Sequence, residues 1–578
     1  MNRLLLITSL LAAFASSLSP SIAAESQPAA VASLSEAGSK LEANYASMLN
    51  SLQEEITKAL PKIDVPQQPP NKPLQADLEK FLASDKLDSQ MVKFAILAQA
   101  TPHGLAEFAQ QGKEQESLVA KLLADTVLMK QMVVAAGAAG GKYGQAMKIY
   151  TNIQKASPQA KEGILQRFAL GTSLEQAVPA GQRNPEAQTG APTVVDPVKR
   201  YLNYEKAFLA GELDSGFKDL TVWDCRFVGN GDESDEVLTW GREMLRNYYP
   251  DHIWTADTRW RYVEAVKTEV KYGSQDQKND LPSLGFYQNI INTGGVCGRR
   301  AFFGRFILRS FGIPCLARPQ PGHATLVHWT PAGWVICLGA TWGNGRVDGK
   351  PDTEFLATTQ ARMTGDAYLQ VLRAQWVGMA LGEKGAATDF WNGVAQIQQQ
   401  TIIEKAKAVT LAAVGTDIGE ANVSKEKEVL KTVTITEADK QITVGLEGVI
   451  TIPAVACSSP TANTAKIRFM KSYLGGMQLH YGRIGNPEPF EYTFDAPAAG
   501  KYALSARVVT VSPDQHLLVA VNDAQEPVDI KAPYTIGKWE KTSPVEVSLI
   551  KGRNILRFSR PEPVKGLTIK DFTLTPIN

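Results

Sequence analysis

The chain has 578 residues, which allows three or four domains at about 150 residues each. Its formal net charge is +1, so no overall field steers a nucleic acid or another charged polymer toward it. Because no stripe of Lys and Arg with interleaved aromatic residues occurs either, we exclude nucleic acid as a partner.

Residues 1–24 predict a secretory signal peptide. Arg3 gives a positive start, Leu4 to Ala15 is an apolar run, and small residues follow up to Ala24. This run is too short to cross a bilayer, and a retained N-terminal anchor is the alternative. No later segment reaches roughly 20 apolar residues. We therefore expect an exported protein of the periplasm, cell envelope or extracellular space, with no transmembrane span once the signal is removed.

Helical periodicity predicts an α-helical region over residues 25–177. Apolar residues recur at intervals of three, four or seven between Leu34 and Ile56. A proline-rich linker at 61–73 interrupts this region, and a Pro/Gly/Gln-rich linker at 178–196 follows it. We interpret the helices as a stalk or as a packing partner for the domain that follows.

Five cysteines are too few for a disulfide scaffold, and an odd number leaves at least one thiol outside any disulfide within a single exported chain. Cys315 and Cys337 lie in short apolar runs, which favours buried thiols. The spacing of Cys and His gives no paired ligand motif, so we expect neither a metal nor a cofactor.

One cysteine stands at the start of a predicted helix. From residue 298 to 311 apolar residues recur every four positions, Gly312 fits the position just after the helix, and Pro314 cannot prolong it. Cys297 therefore falls at or just before the helix N-terminus. There, main-chain N–H groups and the helix dipole favour a nucleophilic thiolate.

A thiolate nucleophile needs a base that also protonates the leaving group. Residues 322–329 predict a strand, 330–333 a turn and 334–338 the returning strand. His323 begins this hairpin. His328 lies five residues further on and points to the opposite face, so His323 is the candidate base.

In order, Gly295-Val296-Cys297, the helix, Gly312-Ile313-Pro314 and Gly322-His323-Ala324 resemble the transglutaminase-like family of papain-type folds. The match is close over 294–342 and looser over 197–385. The resemblance implies an α+β core with Cys297 as nucleophile and His323 as base. It also implies acyl transfer from protein or peptide substrates to water, as in a peptidase or amidase, or to an amine, as in a transglutaminase. Gly295 and Gln288 are candidates for substrate or oxyanion contacts.

The third strand departs from the family pattern. Where the family has Leu-Asp-Pro-Thr, this chain has Leu338-Gly339-Ala340-Thr341, so the carboxylate that usually orients the histidine is missing. Asn344 or Asp348, in the following loop, is the candidate replacement. The alternative is a catalytically inactive envelope protein that keeps the fold and binds other molecules.

Residues 386–430 predict a helical connector, and 431–578 predict a β-sandwich from short alternating strands and turn signals. The last segment resembles carbohydrate-binding and galactose-binding-like modules. That resemblance implies a glycan partner and stacking aromatic residues, with Trp539 and Tyr534 as candidates. The alternative is that Trp539 closes the sandwich edge. The chain is thus predicted to be multidomain: a helical N-terminal region, an α+β transglutaminase-like core and a C-terminal β-sandwich.

Overall fold

A computed structural model describes residues 33–61, 70, 72–183, 193–255, 257–273, 279–386, 388–406, 434–561 and 565–577. The predicted signal peptide, much of both linkers and most of the 386–430 connector lie outside the described residues. Within these ranges, no helix is both long enough and apolar enough to cross a membrane.

The N-terminal region is helical, as predicted. Ser35 caps the first helix by accepting a hydrogen bond from the Gly38 N–H, and the predicted apolar stripe buries Tyr45, Leu52 and Ile56. The helices are α1 (Glu36–Ala59), α2 (Ala76–Ala83), α3 (Asp88–Ala100), α4 (Pro102–Ala109), α5 (Lys113–Ala124), α6 (Thr126–Val134), α7 (Tyr143–Ala156) and α8 (Gly163–Glu175).

The middle of the chain combines helices with a small antiparallel sheet in the order β1-β2-β3. Its elements are α9 (Pro197–Leu209), α10 (Val222–Gly229), α11 (Asp235–Tyr248), α12 (Glu264–Thr268), α13 (Phe286–Thr293), α14 (Cys297–Ser310), β1 (Cys315–Gln320), β2 (His323–Thr330), β3 (Gly333–Cys337), β4 (Arg346–Val347), β5 (Lys350–Pro351), α15 (Asp352–Arg362), α16 (Tyr368–Ala380) and α17 (Phe390–Lys405).

The N-terminal helices and the middle of the chain share one continuous hydrophobic core. A buried ion pair between Arg373 of α16 and Asp88 of α3 joins them, with a distance of 2.7 Å from Nε to Oδ1. Gln53 of α1 also donates to the carbonyl of Ala380. The helical region is therefore packed on the core and does not project from it as a stalk.

The C-terminal segment is a β-sheet domain, as predicted. Two sheets enclose a second hydrophobic core, in which Phe558 of one sheet stacks on Phe572 of the other at 4.4 Å between ring centres. The strands are β6 (Thr443–Val444), β7 (Ile450–Pro453), β8 (Ile467–Lys471), β9 (Met477–Tyr481), β10 (Phe490–Ala496), β11 (Gly500–Thr510), β12 (Gln515–Val521), β13 (Val528–Ala532), β14 (Glu540–Lys541), β15 (Val545–Leu549), β16 (Gly552–Ser559) and β17 (Leu567–Pro576).

This sandwich is docked on the middle of the chain, the elements from α9 to α17 that we call the middle domain, through a buried polar cluster. The hydroxyl of Tyr248 donates to Glu269 over 2.7 Å, and Nε2 of His480 lies 3.7 Å from the same carboxylate. Thr568 of β17 donates to the carbonyl of Tyr248, and Arg483 donates to the carbonyl of Thr268. Burial by itself would raise the pKa of Glu269, but the nearby His480 and the Tyr248 hydrogen bond outweigh it and hold that pKa below its usual value.

A lowered pKa makes this cluster a source of pH-dependent stability. The contribution of Glu269 is fully present above the unfolded-state pKa of about 4.3 and is lost as the pH falls through the lower folded-state value. We expect Glu269→Gln to reduce stability near neutral pH by roughly 1–3 kcal/mol and to flatten the loss on acidification. Thermal unfolding midpoints between about pH 7 and pH 2 measure this, because the loss falls below about pH 4.3.

The matched control for this variant is Glu546→Gln, which alters an exposed carboxylate paired with Lys501 at the sandwich surface. It should leave the midpoint and its pH dependence close to those of the parent protein. Equal pH profiles for Glu269→Gln and the parent protein would contradict the role given to Glu269.

Candidate active site

Cys297 is the first residue of α14, as the sequence predicts, and its side chain is half-buried. Two glycines bring the chain to this point. Gly294 has φ +82°, and a Cβ there would lie 2.3 Å from the carbonyl oxygen of Lys271. The Gly295 N–H donates to that same carbonyl over 3.0 Å. The two glycines therefore fix the start of the helix. The N–H of Gly298 lies in the first turn, where no carbonyl of the helix is placed to accept its hydrogen bond.

The direction of the chain brings the ends of α14 and β2 together. Helix α14 ends with Gly312 just past its C-terminus, as predicted, where the Gly312 N–H donates to Arg309 and the Ile313 N–H to Leu308. The chain then returns along the helix as β1, because Sγ of Cys315 lies 3.5 Å from the carbonyl oxygen of Arg305. Since β2 is antiparallel to β1, it runs parallel to α14.

The two candidate residues therefore lie at the same end of the α14–sheet layer. Cys315 is opposite Arg305 of the helix and pairs with His328 of β2. From Arg305 back to the start of α14 the helix covers about 12 Å, and from His328 back to the start of β2 the strand covers about 17 Å, so the two starts lie at similar distances from the Cys315 contact. Cys297 and His323 are the residues at those starts.

His323 has a main-chain partner. Its Nε2 lies 2.6 Å from the carbonyl oxygen of Leu338, which directly follows β3. A carbonyl can only accept a hydrogen bond, so Nε2 carries the proton in this contact, and in the neutral ring Nδ1 is then the acceptor. The backbone of Leu338 has φ +61°, a left-handed conformation that is uncommon for a branched residue, and its side chain is buried.

Gly339 stands at a site with no room for a side chain. A Cβ there would lie 2.6 Å from Cγ2 and 2.8 Å from Cβ of Thr325, and 3.0 Å from Oε1 of Gln320. Thr325 is β-branched and sits in the middle strand of the sheet, so it has little freedom to move away. The position that carries an aspartate in the resembled family is therefore closed to any larger residue in this packing.

A buried ion pair fixes the loop that follows Leu338. Arg318 and Asp352 are both almost fully buried, with 2.7 Å between Nη2 and Oδ2. Arg318 also donates to the carbonyl of Thr341, and Asp352 accepts from the N–H groups of Gly343 and Gly345. Neither residue stands out in the sequence, because an isolated Arg and Asp 34 positions apart carry no spacing signal.

The structure places the two loop candidates at the protein surface. Asn344 is exposed and its amide donates to Thr341 at 3.5 Å, and Asp348 lies in the exposed turn between β4 and β5. Both residues follow the third strand closely in sequence, and the loop turns them toward solvent. The Nε2 contact described for His323 is made by the Leu338 carbonyl instead.

The two candidates for substrate contacts are also engaged elsewhere. The Gly295 N–H is held by Lys271, so it does not point at an oxyanion. The side chain of Gln288 accepts from the Gly285 N–H and caps α13. Gln288 lines a cleft between the middle domain and the sandwich.

The remaining thiols differ from Cys297 in burial. All five cysteines lie in the described ranges, none forms a disulfide bond, and only Cys297 is partly exposed. Burial raises the pKa of Cys315 to about 11 and that of Cys457 to about 12. Cys315 and Cys337 are buried, as their apolar surroundings predict.

His328 is buried, with Nε2 2.8 Å from the carbonyl oxygen of Arg259 and Nδ1 3.0 Å from that of Trp329. Burial lowers its pKa. These contacts make His328 part of the packing of the hairpin.

The aromatic candidates of the sandwich face the middle domain. Trp539 is half-buried and packs against the core of that domain, where its Nε1 finds no hydrogen-bond partner among the described residues. Tyr534 lines the cleft of about 600 Å³ together with Trp240 and Phe286 of the middle domain. Burial raises the pKa of Tyr534 to about 12, so its hydroxyl stays protonated.

Comparisons with known proteins show one similarity of fold, in the C-terminal β-sheet domain. No family model and no curated protein matches the chain. The C-terminal β-sheet domain is similar to carbohydrate-binding modules. One is the C-terminal family 6 module of LamC, a marine laminarinase from Zobellia galactanivorans, with 17% identity over 22% of this chain and 98% of that chain, and a TM-score of 0.19.

A family 35 module from Clostridium thermocellum shows 16% identity over 22% of this chain and 98% of that one, with a TM-score of 0.19. The module CBM6cm-2 of Cellvibrio mixtus lichenase 5A, solved with cellotriose, shows 17% identity over 22% and 97%, again with a TM-score of 0.19.

The lack of room at Gly339 predicts a specific cost of substitution. We expect Gly339→Ala to destabilise the middle domain by about 1–3 kcal/mol, because the new methyl group overlaps Thr325. Gly181→Ala is the control, since a Cβ there meets no atom within 4 Å, and it should change stability by less than about 0.5 kcal/mol. Urea unfolding midpoints compare the two, and equal midpoints would contradict the close packing at residue 339.

Proposed function

We propose that the chain is a cysteine-dependent acyl-transfer enzyme acting on protein or peptide substrates, with Cys297 as nucleophile and His323 as base. The observation that carries the proposal is the placement of a half-buried thiol at the N-terminus of α14, at the same end of the layer as a histidine whose Nε2 is held by a carbonyl. This arrangement supports the function implied by the transglutaminase-like resemblance.

The chemistry follows from the protonation state of the imidazole. Nδ1 of His323 takes the proton from Sγ of Cys297, and the thiolate attacks the carbonyl carbon of an amide or ester. The first-turn N–H of Gly298 is a candidate donor to the oxyanion. The imidazolium then protonates the leaving group as the carbon–nitrogen or carbon–oxygen bond breaks, which gives a thioester.

Release of the acyl group uses the same base. Nδ1 of His323 takes a proton from water or from an amine, which attacks the thioester, and the imidazolium returns the proton to the thiolate of Cys297. Water as acceptor makes the protein a peptidase or amidase, and an amine makes it a transglutaminase. Because residues 1–24 have the pattern of a signal peptide, we place this reaction outside the cytoplasm, on proteins of the envelope or its surroundings.

Thiol reactivity tests the proposal before a substrate is known. We expect iodoacetamide to label Cys297 at least about tenfold faster than the other four thiols in the folded protein, because those are buried and several have raised pKa values. Peptide mapping by mass spectrometry gives the rate at each site. His323→Gln should slow the labelling of Cys297.

The control for His323→Gln is His516→Gln, which alters a partly exposed histidine that contacts Asp529 in the sandwich. It should leave the labelling rate unchanged. Equally slow labelling of all five thiols would refute an activated nucleophile and would favour the inactive envelope protein. The parent protein and Cys297→Ala are then compared in a peptidase and amine-incorporation screen, where the variant should show no turnover.

Glycan binding is a second candidate function, and the cleft beside the sandwich favours it. Tyr534, Trp240 and Phe286 line the cleft together with the polar side chains of Asn203 and Gln288. Aromatic faces that stack on sugar rings, with a few polar groups to fix hydroxyls, are the usual chemistry of sugar recognition. The hydroxyl of Tyr534 is buried and has no hydrogen-bond partner among the described residues, so the aromatic faces are what this residue offers to the cleft.

A glycan array separates this function from the first. We expect binding of the parent protein to at least one glycan and a loss of about tenfold or more in Tyr534→Ala, because a lining aromatic is removed. Tyr473→Ala is the control: Tyr473 stacks on Trp254 outside the cleft, so its loss should not affect binding. Absence of binding by the parent protein, or equal binding by both variants, would exclude this cleft as a glycan site.

A further inference from the structure

We propose that the main-chain carbonyl of Leu338 is the positioning group of His323, in place of the side-chain carboxylate of the resembled family. This inference rests on the acyl-transfer function proposed above and names the part of that site which the sequence leaves open. Leu338 is thus a positioning residue, since it acts through His323 and does not touch the substrate.

The distance and the chemistry of the contact support this role. The separation of 2.6 Å between Nε2 of His323 and the carbonyl oxygen of Leu338 is that of a short hydrogen bond. A carbonyl accepts but never donates, so the contact selects the tautomer with the proton on Nε2. The same tautomer leaves Nδ1 ready to take the proton of a thiol, which is what a carboxylate partner achieves elsewhere.

The backbone at this point is arranged for the contact. Leu338 adopts φ +61°, which costs on the order of 1 kcal/mol or more for a residue with a branched side chain. Such a conformation persists where the surroundings determine it, and here they do. The leucine side chain is buried, and Gly339 leaves no room for a side chain that would compete for the imidazole.

Three side chains, of which Arg318 and Asp352 are buried and Gln320 is half-buried, hold the segment that carries this carbonyl. Gln320 accepts from the Ala340 N–H over 3.3 Å, and Arg318 donates both to Gln320 and to the carbonyl of Thr341. Asp352 holds Arg318. A neutral carbonyl cannot offer the charge of a carboxylate, so its usefulness depends on a fixed direction, and this network supplies that fixed direction.

An amide-to-ester exchange tests the carbonyl without changing any side chain. Incorporation of glycolic acid in place of Gly339 turns the Leu338–Gly339 amide into an ester, whose carbonyl is a weaker acceptor. The control is lactic acid in place of Ala332, in the exposed turn between β2 and β3, which makes the same chemical change away from His323. Both proteins are full-length chains, and circular dichroism checks their fold.

The first readout is the tautomer of His323. The rings are labelled with ¹⁵N, His323 is assigned with His323→Gln, and spectra are taken where imidazole is neutral. We expect Nε2 of the parent protein to resonate as a protonated nitrogen and Nδ1 as an unprotonated one, with the preference weakened in the 339 ester and kept in the 332 ester. A proton on Nδ1, or equal spectra for all three proteins, overturns the inference.

The second readout is the rate of iodoacetamide labelling at Cys297. We expect the 339 ester to slow it about 3- to 10-fold and the 332 ester to change it by less than about twofold. Slow labelling of Cys297 in the parent protein refutes the proposed function. In that case the tautomer of His323 still shows whether the Leu338 carbonyl holds the imidazole. Fast labelling of the parent protein that the 339 ester leaves unchanged refutes the positioning role and retains the function.

Discussion

The Arg318–Asp352 ion pair holds the candidate active site together. Both side chains are almost fully buried, and between them they fix the carbonyl of Thr341 and the N–H groups of Gly343 and Gly345. Removing one partner of such a pair leaves an uncompensated buried charge, which costs roughly 3–5 kcal/mol. The direction of the Leu338 carbonyl, and with it the orientation of His323, depends on this loop. In the proposed mechanism, this charge pair, remote from Cys297, thus helps to orient His323 in place of a side chain beside the histidine.

The sandwich is part of the same structural unit as the rest of the chain. Its strands β9 and β17 bring His480 and Thr568 against Glu269 and Tyr248, and all four residues are buried. The aromatic candidates Trp539 and Tyr534 look inward, toward the middle domain. A ligand that reaches Tyr534 must therefore also contact the middle domain, and recognition at this cleft would be a property of both domains together.

Several elements could be predicted from the sequence because their signals are local. Helix α14 follows from the apolar spacing and Gly312, and the β2–β3 hairpin follows from its turn residues. The partner of His323 could not be predicted, because a main-chain carbonyl carries no residue type and its direction depends on the backbone of Leu338. The shared core of the N-terminal helices also escaped prediction, since composition marks linkers but not which surfaces pack together.

The docking of β17 has a consequence for the order of folding. The hydrogen bond between Thr568 and Tyr248 joins residues 320 positions apart in the chain. Contacts of such long range form late, because closing the intervening loop reduces the conformational entropy of the chain before the contact contributes any stabilisation. The buried polar cluster around Glu269 is therefore complete only after β9 and β17 have docked on the middle domain. Synthesis proceeds from the N-terminus, so the strand that completes the packing of the middle domain is among the last segments to be made.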